Sequence, residues 1–81
     1  MDREKVWAAL VEAVREETEN PDLVLREAMV ANDVPGWDSL AHVRIVMNLE
    51  ARTGAEIEIS DTYKAATLGG LCDIALSALA G

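Results

Sequence analysis

The sequence predicts an all-α protein: a small four-helix bundle of three main helices plus one short helix. Apolar residues recur at helical spacing in three segments separated by turn chemistry. The one alternating stretch, Glu56 to Ile59, has no second strand to pair with. At 81 residues, the chain reads as a single domain, 1–81. A domain this small buries roughly 60–65% of its unfolded surface, so its core is thin and leaves little room for a deep catalytic pocket.

The first helix is expected from about Asp2 to Glu17. Val6, Trp7, Leu10, Val11 and Val14 form its apolar stripe. Asp2 and Glu4 suit the positive end of its dipole, and the Asn20-Pro21-Asp22 run ends it. Pro21 to Trp37 reads as an ordered loop, with a short helical turn around Arg26 to Ala31. Leu23, Val24, Leu25, Met29 and Val30 are apolar enough to pack against a core. Val34-Pro35-Gly36 breaks the chain before the next element.

The second helix should start at Asp38 or Ser39 and end near Thr53, with Gly54 as a left-handed stop. Its wheel carries a wide apolar arc of roughly 200°, made by Leu40, Val43, Ile45, Val46, Met47 and Leu49. Ala41, Arg44, Asn48 and Arg52 form the remaining polar stripe. A helix with so wide an arc sits centrally in a bundle or exposes apolar surface to a partner. The Glu56–Ile59 stretch then leads into a short helix around Ser60 to Ala65, with Ser60 as N-cap. The last helix is expected from Leu68 to Leu79 after a Thr67 N-cap. Leu68, Leu71, Cys72, Ala75, Leu76 and Leu79 form its buried stripe. Gly69-Gly70 weakens its first turn by about 1 kcal/mol per glycine relative to alanine.

Charge narrows the partners. Fifteen Asp and Glu against seven Lys and Arg give a net charge of −8. Nucleic-acid phosphates and anionic lipid are repelled by such a surface, and basic protein surfaces are attracted. No apolar run approaches the ~20 residues of a membrane helix, and Met1 to Glu19 lacks a signal-peptide core. The expectation is a cytoplasmic monomer. Its single cysteine, Cys72, excludes an internal disulfide and lies on a buried stripe with no basic neighbour in sequence, which makes it structural. The acidic residues show no metal-loop spacing.

The segment that carries chemistry is Gly36-Trp37-Asp38-Ser39-Leu40-Ala41-His42-Val43. It places a hydroxyl at the first turn of a helix, beside unpaired backbone N–H groups and the positive helix end. A phosphodiester built on the Ser39 hydroxyl is favoured there. Taken alone, Asp38 and Ser39 are better explained as helix caps, either of them serving only to start the helix. His42 follows Ser39 by three residues, but a Ser-His dyad also needs an orienting acid and an oxyanion hole, and neither is evident. His42 therefore reads as a residue at the core boundary and Trp7 as core. Trp37 serves either to anchor the loop or to touch a partner.

Over nearly its whole length the sequence resembles the acyl carrier protein family, in its free-standing form. The features that match are size, acidity, helix order and the Asp38-Ser39-Leu40 triplet. Val43 to Glu50 then runs close to the family pattern, with Gly54, Ile57 and Ile59 at the family's spacing. Thr67-Leu68-Gly69-Gly70-Leu71 looks like the family's Thr-Val-Gly-Asp-Leu. The resemblance implies a carrier, not an enzyme. A phosphopantetheinyl transferase would move 4'-phosphopantetheine from coenzyme A onto Ser39, and the thiol of that arm would hold biosynthetic intermediates as thioesters for a loading enzyme and downstream partner enzymes. It also implies that Asp38 helps the transferase recognise the site, and that Leu40, Met47 and Ile57 are apolar partner contacts. Core packing is the other reading of Leu40, Met47 and Ile57.

The second helix departs from the family's acidic pattern. Ala41, Arg44, Asn48, Ala51 and Arg52 stand where the fatty-acid carriers are acidic, and only Glu50 is negative. This departure, with the Gly-Trp-Asp-Ser-Leu-Ala-His wording, points to a specialised, polyketide-like or other secondary pathway. A peptidyl or D-alanyl carrier loading an amino acid fits the same residues. An acidic helical interaction adaptor with no prosthetic group is the reading of a different class, and a small hydrolase using Ser39 is a third.

Overall fold

The computed structural model describes residues 1–80 as an all-helical bundle of α1 (Arg3–Glu17), α2 (Ser39–Thr53), α3 (Ile59–Thr62) and α4 (Leu68–Ala80), with a 3-10 turn at Ala31–Asp33. α1 packs along α2 and α4, and α3 rests on α4. Val6, Leu10, Ala13 and Val14 of α1 meet Ala41, Ile45 and Leu49 of α2 and Leu68, Leu71, Cys72 and Ala75 of α4 in one core. Trp7 is half-buried at its edge.

α1 and α2 begin and end for local reasons. Asp2 caps α1, its side chain accepting from the Lys5 N–H at 2.9 Å. α1 stops before Pro21 is reached. The Glu19 N–H bonds the Glu16 carbonyl and the Asn20 N–H bonds the Arg15 carbonyl, with Glu19 left-handed at φ 56°. This is the Schellman arrangement that glycine usually completes. α2 is capped by Asp38 and closed by Gly54 at φ 77°.

The 21–37 loop has a job that the sequence did not reveal. Its carbonyls of Met29 and Glu27 accept from the Leu68 and Gly69 N–H groups at 2.8 and 2.9 Å. The Thr67 hydroxyl accepts from Gly70 at 3.1 Å. The orphan donors at the start of α4 are thereby satisfied. Gly69 lets the loop backbone come this close, because a Cβ there would lie 3.0 Å from the Glu27 Cβ. Arg3 locks the same corner, pairing with Glu27 at 2.7 Å and Asp73 at 2.9 Å.

The helical turn of the loop lies at Ala31–Asp33, at the far end of the expected stretch, where Asp33 accepts from the Val30 N–H at 3.0 Å. Leu23, Leu25 and Met29 pack on the core, but Val24 and Val30 are exposed. In α1, Ala13 joins Val6, Leu10 and Val14 as fully buried, while Val11 is only half-buried. α3 starts at Ile59 after Glu58, so Ser60 lies inside the helix and does not cap it. In α2 the wheel is rotated from expectation. Ala41 is fully buried against α1, whereas Leu40 is 70% and Met47 62% exposed. α1 and α4 cover only part of the apolar arc, so core packing does not account for Met47. Cys72 is buried and free, as expected, but it has a basic neighbour after all. Burial pushes its thiol up more than nearby Arg3 brings it down.

Candidate functional site

The approach to the site is set by Pro35-Gly36. Gly36 takes φ 87°, a value that side chains resist, and a Cβ there would lie 3.5 Å from the Thr18 Cβ. The Trp37 N–H bonds the Val34 carbonyl at 3.2 Å, turning the chain toward α2. Asp38 is extended, and its Oδ1 accepts from the Ala41 N–H at 2.7 Å. The cap role is therefore filled by Asp38. This frees Ser39, the first residue of α2, from that duty and leaves it exposed.

Ser39 stands on the rim of an open cleft of about 340 Å³, lined by Asn32, Trp37, Asp38, His42, Thr62 and Tyr63 among others. Asp38 is the one formally charged residue of that lining, and no Lys or Arg contributes to it. The positive potential offered to an anion at Ser39 comes from the backbone at the α2 N-terminus.

The floor of the cleft is a hydrogen-bonded chain whose direction is fixed. The Trp37 Nε1–H donates to His42 Nδ1 at 3.1 Å. An indole nitrogen can only donate, so Nδ1 must accept and His42 carries its proton on Nε2. Nε2–H then donates to Thr62 Oγ1 at 2.7 Å, and the Thr62 hydroxyl donates to the Ile59 carbonyl at 2.6 Å. The Tyr63 ring stacks on the imidazole, with centroids 4.5 Å apart. Burial pushes the His42 pKa below its usual value, as expected for an imidazole held neutral by these partners.

Trp37, Asp38 and Ser39 come together at the cleft. Trp37 anchors the loop through His42. His42 is mostly buried and lines the cleft, outside the apolar core cluster, as a residue at the core boundary does. Both of its ring nitrogens are engaged away from Ser39, so a Ser39–His42 dyad has no free base. Leu40, Val43 and Met47 form an exposed strip along the outer face of α2. Ile57 is half-buried against the core and faces a different groove, about 410 Å³, between the α3 lead-in and α4. The structure does not bring it to Ser39. Asn32, Thr62 and Tyr63 were not legible as site residues. The nearest signal was the lone polar-aromatic pair Thr62-Tyr63 after an apolar Ile59.

The basic residues of α2 turn sideways. Arg44 pairs with Glu17 at 3.4 Å and Arg52 with Glu16 at 3.0 Å, while Asn48 donates to both glutamates. They bind α2 to α1 and so do not lie on the outer strip. Among the described residues no group of three or more His, Cys, Asp or Glu is placed to hold a metal ion. None of the described helices is long and apolar enough to cross a membrane.

No family model, curated protein or solved structure matches the chain. The functional reading rests on the motif and on this geometry.

Proposed function

We propose that the chain is an acyl carrier protein that holds biosynthetic intermediates as thioesters on a 4'-phosphopantetheine arm attached to Ser39. One observation carries the reading. The Asp38 carboxylate caps α2 and leaves the adjacent Ser39 exposed at a helix N-terminus, at the rim of a cleft. A modifying protein can approach a hydroxyl so placed, and a phosphate ester formed there meets the positive end of α2. When bound, the arm supplies a thiol whose acyl thioester stays electrophilic. The carrier itself supplies a tether, which raises the local concentration of cargo at each partner.

The residues divide by role. Ser39 accepts the arm and Asp38 holds the helix start rigid. Leu40 and Met47, with Val43 between them, offer an apolar strip beside the arm to partner enzymes. The net charge of −8 steers the chain to basic partner surfaces. The partners in this reading are a phosphopantetheinyl transferase, a loading enzyme for an acyl or aminoacyl group, and downstream enzymes of a specialised cytoplasmic pathway, with the carrier working as a monomer. The exposed strip would equally serve an adaptor that never receives an arm.

Incubation with a broad-specificity phosphopantetheinyl transferase and coenzyme A, followed by intact-mass measurement, separates the two. A carrier gains one phosphopantetheine. An adaptor stays at its starting mass with every transferase tried.

A further inference from the structure

His42 and Thr62 are the buried polar residues of the described chain, and they are bonded to each other. Together they lie between Ser39 and the apolar core. His42 is one helical turn beyond Ser39 on α2, and one turn further Ile45 and Val46 are already core. The cleft beside Ser39 therefore ends on a polar floor and not on an opening into the bundle. The floor is bonded end to end, each group donating to the next from Trp37 through His42 and Thr62 to the Ile59 carbonyl. Among the described residues no buried side-chain polar atom lacks a partner. An alkyl chain passing from the cleft into the core would have to part His42 from Thr62, leaving the His42 Nε2–H buried without a partner and the Thr62 hydroxyl with only the Ile59 carbonyl. In the core, Ile45, Leu49, Leu68 and Leu71 are 0–2% exposed, so a guest would also have to displace packed side chains.

We propose that His42 is a plug that keeps thioester cargo outside the bundle, so that the cargo this chain suits is a short, polar acyl group and not a long alkyl chain. The inference rests on the attachment of the arm at Ser39. In this role His42 is a specificity-determining residue that acts through position, and Thr62 and Trp37 hold it in place. Cargo kept outside faces water and an open rim of Ala31, Asn32, Trp37, Asp38 and Tyr63, where a long hydrocarbon is at most partly covered and polar substituents keep their hydration.

Chain length provides the test. The apo protein is loaded from butyryl- and octanoyl-coenzyme A by a broad-specificity transferase, and loading is verified by intact mass. Melting temperature is then measured, together with the rate at which an added small thiol removes the acyl group. Each methylene buried in a core is worth about fourfold in the folding equilibrium. A bundle that sheltered four more methylenes would melt about 10 °C or more higher with octanoyl than with butyryl. The wild type is expected to melt within about 1 °C for the two cargoes and to lose them to the thiol at equal rates. In His42→Ala, octanoyl is expected to raise the melting temperature and slow its own removal. If that variant does not fold, Thr62→Val, close in shape to the original, takes its place.

A wild type stabilised or protected by octanoyl overturns the plug while leaving the arm intact. Variants that fold and load but remain indifferent to chain length overturn the assignment to His42. Failure of every coenzyme A thioester to add mass overturns the arm itself, and the plug with it.

Discussion

Two adjacent glycines in one helical turn should respond to the same substitution with opposite signs. In Gly69→Ala the new methyl would lie 2.9 Å from Glu27 Oε1, 3.0 Å from the Glu27 Cβ and 3.3 Å from the Glu27 carbonyl oxygen. The carboxylate can swing away only by leaving Arg3. The Cβ and carbonyl can retreat only by stretching the 2.9 Å bond that caps α4. Overpacking of this kind costs about 1–3 kcal/mol, against about 1 kcal/mol returned by the better helix former. The expected net loss is about 1 kcal/mol, which lowers the melting temperature of a domain this size by about 4–8 °C. In Gly70→Ala the nearest atoms are 3.5–3.7 Å away, ordinary contact distance. There the propensity gain of about 0.5–1 kcal/mol stands alone. Urea and thermal unfolding of the two variants beside wild type decide the matter. Equal shifts of the same sign would mean that the loop does not press on α4, and the account of this corner would be refuted.

Three further outcomes follow from the same structure. Glu19→Gly should stabilise by about 0.5–1 kcal/mol in urea titration, since it relieves a left-handed non-glycine residue; a destabilised variant would contradict the Schellman reading of the α1 terminus. Asp38→Ala should cost about 1 kcal/mol by loss of the α2 cap, while Asp38→Asn keeps most of that stability. If Asn also keeps full loading by the transferase, the role of Asp38 is the cap alone. The third concerns pH. Burial holds the folded pKa of His42 below its usual 6.5, so the unfolded chain takes up the proton first. Stability is therefore full above about pH 6.5 and falls, by at most about 1.4 kcal/mol per pH unit, until the folded pKa is reached. His42 is the chain's only histidine, so a His42→Gln variant should lack this step. The stability that Glu27 gains from Arg3 is lost separately, as pH falls below 4.5.

The parts of this fold that were readable in advance are those fixed within a few residues. Asp2, Asp38, Thr67 and Gly54 mark helix ends because caps act locally, and α4 declared its buried face because leucines repeat along it. The orientation of α2 was not readable. An apolar arc shows which residues are able to be buried, and the neighbours decide which of them are. With α1 on one side, Ala41 was taken inward and Met47 left in water. The capping of α4 by Met29 and Glu27 uses backbone carbonyls, which leave no residue-type signature. At the site, the exposed Ser39 and the capping Asp38 follow from the triplet. The floor formed by His42 and Thr62 joins residues twenty apart and emerges only once α3 is placed.

The central claim turns on whether one hydroxyl, and that hydroxyl alone, takes the arm. Wild type and Ser39→Ala are incubated with transferase and coenzyme A, weighed intact, and cleaved to locate any added group. The account predicts one phosphopantetheine on the Asp38-Ser39-Leu40 peptide of wild type and none on a Ser39→Ala protein that melts at the same temperature. An unmodified wild type, or a group that persists in Ser39→Ala, would contradict it.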